Sequence, residues 1–201
     1  TYTVNVNPSP SVITPSNQSI CSGSSSAALN FSSIPSGATF NWSNTSTSIG
    51  LAANGIGTIP SFTALNAGTT SLSSTIQVVP TLNGCSGNSG NFTITVLPIP
   101  SVNVLSNQAV CDGSTVPATL PQSNISGTTF NWTNSTTGIG LMGTGSTSIP
   151  AFTAVNSGSS VVTASIVVIP SLSGCTGTAG TYTITVNPLP QAVLPSAQVV
   201  C

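Results

Sequence analysis

Hydrophobic and polar residues alternate along several stretches of this chain, and the clearest alternations come back at a fixed distance. Between residues 71 and 79, Leu72, Ile76 and Val78 share one face with Ser74, while Ser71, Ser73, Thr75 and Gln77 take the other. Side chains on a strand point to opposite faces in turn, so this pattern predicts a half-buried β-strand. Val162, Ala164, Ile166 and Val168 repeat the inner face, and Val161 and Val167 make the outer one more apolar. Phe92, Ile94 and Val96 predict a closing strand that runs directly into Pro98-Ile99-Pro100. That closing strand occurs three times: Tyr2, Phe92 and Tyr182 stand 90 residues apart (92 minus 2, and 182 minus 92).

Shorter elements fill the space between. A first strand is predicted over 11–14 and 18–21, interrupted at Pro15, with a counterpart at 101–105 and 108–111. A second falls at 27–31, and a third, carrying Trp42, at 38–42, repeated with Trp132 at 128–132. The segments 59–64 and 149–154 read as a short edge strand entered through proline. Pro80 and Asn83-Gly84 are expected to turn the chain back after the long strand. Helical periodicity is missing throughout. About seven short strands per period, separated by Gly, Pro and Asn turns around one tryptophan, predict an all-β chain of tandem Ig-like sandwiches. The expected organisation is a closing strand of a preceding repeat at 1–7, repeats at 8–97 and 98–187, and the opening strand of a following repeat at 188–201. On this reading the sequence is a window onto a longer repeat protein, and its Pro-x-Pro joints favour a short, extended connection.

Charge then narrows the function. The chain has no Lys, Arg or His, and its one acid is Asp112. Without a basic patch there is nothing to neutralise phosphates, so neither nucleic acid nor an anionic lipid surface is an expected partner. The mean hydropathy of +0.39 reflects missing charge, because no apolar run reaches the roughly 18 residues of a membrane span, and membrane insertion is not expected. General acid–base chemistry needs His, Lys or paired carboxylates, and no base is present to activate the many serines. The chain is therefore not expected to be an enzyme, and no cofactor is implied. Asp112, before Gly113, reads as a turn or cap residue rather than a calcium ligand.

The five cysteines follow the same period. Cys21, Cys111 and Cys201 are spaced by 90, as are Cys85 and Cys175. Two cysteines without His or carboxylate neighbours make a poor metal set, so disulfides are expected, together with an oxidising, extracytoplasmic setting. The simplest pairing is Cys21 with Cys85 and Cys111 with Cys175, leaving Cys201 unpaired in this window; closing such a loop would stabilise a domain by roughly 4 kcal/mol. Pairing across the joints, Cys85 with Cys111 and Cys175 with Cys201, satisfies the same count. Trp42 and Trp132 are candidates for stacking on a sugar, although a mid-strand tryptophan in such a sandwich usually belongs to the core. Matches to the N-glycosylation pattern, as at Asn41, Asn91 and Asn131, arise readily in a chain this rich in Asn, Ser and Thr.

The set Phe130-Asn-Trp-Thr-Asn134, Gly138-Ile-Gly-Leu141, Ile149-Pro-Ala-Phe-Thr-Ala154, Gly174-Cys-Thr-Gly177 and Thr183-Ile-Thr-Val-Asn-Pro188 resembles the PKD-like repeats of giant secreted surface proteins in Bacteroidota, including gliding-motility adhesins. The first repeat carries the same set at Phe40 to Asn44, Ser48 to Leu51, Ile59 to Ala64 and Gly84 to Gly87. The resemblance implies an Ig-like sandwich exported to the cell surface through the type IX pathway. The chain departs from the acidic Gly-Asp-Gly turn of better-known PKD domains, having Ser43-Asn44 and Thr133-Asn134 after its tryptophans. The expected role is a structural segment of an extracellular adhesin or filament, a disulfide-stapled stalk or self-associating fibre. Its expected partners are neighbouring repeats and identical chains, with a surface polysaccharide in the alternative role of a carbohydrate-binding array.

Overall fold

The computed structural model describes residues 2–4, 6–103 and 105–192. The chain divides into two compact units between Ile99 and Pro100. In the first, β1 (Ser11–Ile13), β2 (Gln18–Cys21), β3 (Ser32–Ile34), β4 (Thr39–Asn44), β5 (Asn54–Ile56), β6 (Leu72–Leu82), β7 (Cys85–Ser86) and β8 (Gly90–Leu97) follow in order. The main sheet runs β2-β8-β6-β4-β5, with β7 folded back on β6, and β1 pairs with β3 in a separate small sheet. The break at Pro15 thus moves the first strand from one layer to the other: β1 is antiparallel to β3, while β2 lies parallel to β8.

The second unit contains β9 (Gln108–Cys111), β10 (Thr115–Val116), β11 (Thr129–Asn134), β12 (Thr144–Ser146), β13 (Phe152–Thr153), β14 (Val162–Leu172), β15 (Cys175–Thr176) and β16 (Gly180–Asn187). Its main sheet is β9-β16-β14-β11-β12, with β15 on β14 and a small β10-β13 sheet opposite.

The alternation of the long strands sets the core. Ile76, Val78, Phe92, Ile94 and Val96 are buried beside Trp42, and Ala164, Ile166, Val168, Tyr182, Ile184 and Val186 beside Trp132. A single 3₁₀ turn in each unit, Thr47–Ile49 and Thr137–Ile139, presses a fully buried isoleucine into this layer. Each such turn ends on a glycine with positive φ, Gly50 or Gly140, where a Cβ would meet the carbonyl oxygen of Thr63 or Thr153 at 2.2 Å. Only glycine fits there, on both steric and conformational grounds.

Several elements differ from expectation. Residues 27–31 make one isolated bridge, Leu29 to Ile59, preceded by another from Ser25 to Thr63, and the strand forms later, at 32–34. Ile59 and Leu29 exchange both backbone bonds, but Pro60 has no N–H with which to continue a ladder. The expected turn at Pro80 is instead strand: β6 runs through it to Leu82. β6 pairs with β8 as far as Val78 and with β7 from Thr81, so Pro80 occupies the gap between partners, where a donor is not needed. Its carbonyl accepts from Gly87 N at 2.9 Å. Among the described residues before Pro10 no strand forms, and Tyr2, Val4 and Val6 lie exposed. The expected opening strand at 188–201 falls largely outside the described residues.

Candidate functional site

The chain enters each unit at one pole and leaves at the other. At the N-terminal pole Ser11 bridges Asn88, and Ser101 bridges Thr178. The second proline of each joint lies buried against the cysteine hairpin: a Cβ on Gly87 would sit 1.7 Å from the Pro10 carbonyl oxygen, and one on Gly177 1.8 Å from that of Pro100. These glycines are required by close approach, which lets the joint backbone lie flat on the hairpin. The hairpin itself turns through Asn83 and Gly84 (φ 49° and 82°), or Ser173 and Gly174 (φ 50° and 84°). Two consecutive positive φ values characterise the tight turn favoured by Asn-Gly, and the turn places Cys85 opposite Leu82 and Cys175 opposite Leu172.

The C-terminal pole holds the other cysteine. Cys21 lies opposite Leu97 and Cys111 opposite Asn187, one residue past the pairs Leu72 with Val96 and Val162 with Val186. From Leu72 to Leu82 is ten residues along one strand, about 33 Å at the usual rise. A disulfide needs Cα atoms within about 7 Å. The expected bonds of Cys21 with Cys85 and of Cys111 with Cys175 are therefore excluded by strand length, and Cys85 and Cys111 carry free thiols. The alternative bond of Cys85 with Cys111 is absent too, since both are free thiols. Cys21 and Cys175 are disulfide-bonded. Cys201 lies outside the described residues.

Trp42 and Trp132 are 5% and 1% exposed, so the sugar-stacking expectation fails: neither ring has a free face. Each indole is roofed by a glycine, Gly55 or Gly145, on the neighbouring strand. The two environments differ in one bond. Trp132 Nε1 donates to the Ser148 carbonyl at 3.0 Å, whereas Trp42 Nε1 is buried without a partner.

With ionic groups almost absent, asparagine amides carry the polar network, from buried Asn134 and Asn156 through half-buried Asn44 and Asn66 to exposed Asn17 and Asn107. Asn66 Nδ2 donates to the carbonyls of Thr70 and Val96, and its Oδ1 accepts from Gly68 N. Asn156 repeats all three bonds with Ser160, Val186 and Gly158. Asn44 and Asn134 tie the loop after the tryptophan strand to the carbonyls of Leu51 and Leu141. Asn17 and Asn107 accept from Thr93 N and Thr183 N, pinning the first strand to the last. Asp112 belongs to this network: its Oδ1 accepts from Asn156 N at 2.7 Å, the bond that Ser22 Oγ makes to Asn66 N in the first unit. Its role is that of an acceptor, interchangeable with a hydroxyl. The sequence reading missed these asparagines, although their spacing of 90 (107 minus 17, 134 minus 44, 156 minus 66) was visible.

The inner face of the first unit also holds Ser74, which Thr45, Ser46 and Asn44 all engage; Ala164 takes its place in the second. A cleft of about 340 Å³ in the second unit is lined by Leu120, Pro121, Phe130 and Thr147 among others. It opens where the first unit has Phe31 packed on Phe40 and Phe92, because the residue 90 further on is Pro121. Among the described residues, no group of three or more His, Cys, Asp and Glu side chains is placed to hold a metal ion, and no helix is long and apolar enough to cross a membrane.

Cys111, Trp132, Cys175 and the closing strand β16 of the second unit lie in one stretch that matches a known family. Residues 108–190 match the PKD-like domain. No curated protein matches the sequence. Among solved structures the chain is similar to the first two Ig domains of DIP-gamma, at 10% identity and a TM-score of 0.45, over 92% of this chain and 99% of that one. It is similar also to titin domains I67–I69, at 12% identity and a TM-score of 0.45, over 89% and 65%. Cadherin domains 3–6 of protocadherin gamma B2 align at 12% identity and a TM-score of 0.43, over 91% and 52%. The PKD-like segment contains the second unit's main sheet from β9 to β16.

Proposed function

We propose that this chain is a structural segment of a long extracellular bacterial surface protein, a stalk or filament of PKD-like repeats that extends an adhesive element or forms a fibre itself. The observation that carries this reading is the placement of the chain ends at opposite poles of each unit, so that every repeat adds the length of its long strand, about 35 Å for eleven residues, to whatever it connects. A unit whose ends lay side by side would add bulk without reach.

Three further features support it. The free thiols of Cys85 and Cys111 lie at the poles, where they are available for linkage. The absence of Lys and Arg leaves no site for trypsin-like proteases, which suits exposure outside a cell. Uncharged surfaces do not repel one another, so identical chains can lie side by side through hydroxyl, amide and small apolar contacts. The motif resemblance to repeats of Bacteroidota surface proteins agrees with this placement. Antibodies to the chain, applied with gold label to intact cells and viewed by electron microscopy, test the proposal. Decorated threads extending from the surface are expected; label found only after the cells are opened would overturn it.

A further inference from the structure

The described cysteines are of two kinds. Cys85 and Cys175 sit on the hairpin at an N-terminal pole, and Cys21 and Cys111 at the end of the strand parallel to the closing strand, at a C-terminal pole. One of each kind, Cys175 and Cys21, is disulfide-bonded, and the other of each kind, Cys85 and Cys111, is a free thiol. The two repeats serve as each other's comparison: positions that are bonded in one copy are free in the other, although the local backbone is the same. Cys111 is exposed and Cys85 half-buried, so both thiols can be reached. The two cysteines of one unit stand about 33 Å apart along the long strand and cannot bond each other.

We propose that Cys111 and Cys85 are linkage points between copies of this chain: the Cys111 thiol, at a C-terminal pole, bonds the Cys85 thiol, at an N-terminal pole, of a second copy. The step is a thiol–disulfide exchange. The Cys111 thiolate attacks a small disulfide oxidant such as glutathione disulfide, releasing one glutathione thiolate. The Cys85 thiolate of the second copy then attacks the protein sulfur of that mixed disulfide and releases the other. Two protein thiols and one glutathione disulfide give one protein disulfide and two glutathiones. Each chain carries one thiol of each kind, so the linkage is head to tail, a heterologous contact that can be repeated from chain to chain.

The test uses the full chain with Cys201→Ser, so that only the described thiols react. Cys85→Ser and Cys111→Ser are added separately, and folding is checked by circular dichroism. Each variant is treated with glutathione disulfide alone and after mixing, then resolved on a non-reducing gel. The expected result is monomer for each variant alone and a dimer only in the mixture, with Cys111 joined to Cys85 in chymotryptic peptides. The chain with both thiols should give a ladder. Equal dimer from either variant alone, or monomer throughout, would overturn the proposal. The cell-surface test is independent of this one, so failure of either leaves the other standing.

Discussion

A methyl group added at Gly145 decides whether Trp132 is a structural pillar or a surface element. An ideal Cβ there would lie 2.3 Å from Cζ2 and 2.5 Å from Cε2 of the indole. Because the ring is 1% exposed it cannot swing clear. Overpacking of this kind costs about 1–3 kcal/mol, offset by about 0.5–1 kcal/mol for replacing glycine within a strand. Displacing the ring also breaks the bond from Nε1 to the Ser148 carbonyl, and stranding a buried donor adds about 1–3 kcal/mol. Gly145→Ala should therefore destabilise the second unit by about 2–4 kcal/mol, a loss of at least 8 °C or so in Tm for a domain of this size. Gly55→Ala makes the same clash with Trp42, at 2.2 Å, but that indole has no bond to lose. Its cost should be smaller by about 1–3 kcal/mol. Urea unfolding followed by fluorescence measures both, with the other tryptophan replaced by phenylalanine so that one indole reports on its own unit. A Gly145→Ala protein within about 0.5 kcal/mol of the parent, or a larger loss for Gly55→Ala, would refute the argument.

Other expectations follow from the same contacts. The Tyr182 hydroxyl is buried with the Thr119 side chain beside it but no completed hydrogen bond, and burial pushes its pKa above the usual tyrosine value. Phe92 fills the corresponding place in the first unit, so Tyr182→Phe should leave thermal stability unchanged or raise it by about 1 kcal/mol. Asn156→Ala removes three hydrogen bonds at a residue 5% exposed and should lower the urea midpoint by the equivalent of about 2–4 kcal/mol. Asp112→Ser should preserve stability, because Ser22 makes the same bond in the first unit; a calcium-dependent Tm in the parent that this change abolishes would refute the acceptor role. Side-by-side association of an uncharged chain should be indifferent to salt, and sedimentation between about 20 and about 500 mM NaCl should give the same size distribution.

The long strands were legible because their alternation is strict: Leu72 to Val78 and Phe92 to Val96 reach the core as read, and so does the break at Pro15. What escaped the sequence depended on a partner. Pro80 looks like a turn until it is seen to fall between β7 and β8, and the strand after Leu29 depends on the donor that Pro60 lacks. The cysteine pairing failed for a similar reason. A repeat containing two cysteines suggests an internal loop, and only the register of β2 on β8 shows that the two lie at opposite ends of an eleven-residue strand. The asparagine network was equally hidden, since amides carry no charge pattern and their bonds are to backbone groups far away in sequence.

The switch of the first strand at Pro15 has a mechanical consequence. Because β2 runs parallel to β8, and the chain arrives at one pole and departs at the other, a pull on the two ends draws these neighbours past each other lengthwise. Their hydrogen bonds, from Gln18 beside Ile94 to Cys21 beside Leu97, are loaded together in shear instead of being peeled apart one after another. The terminal strands thus act as a clamp that tension engages all at once, and the asparagine at the start of β2, held to Thr93 N, stands at the end of the clamp where slippage would begin.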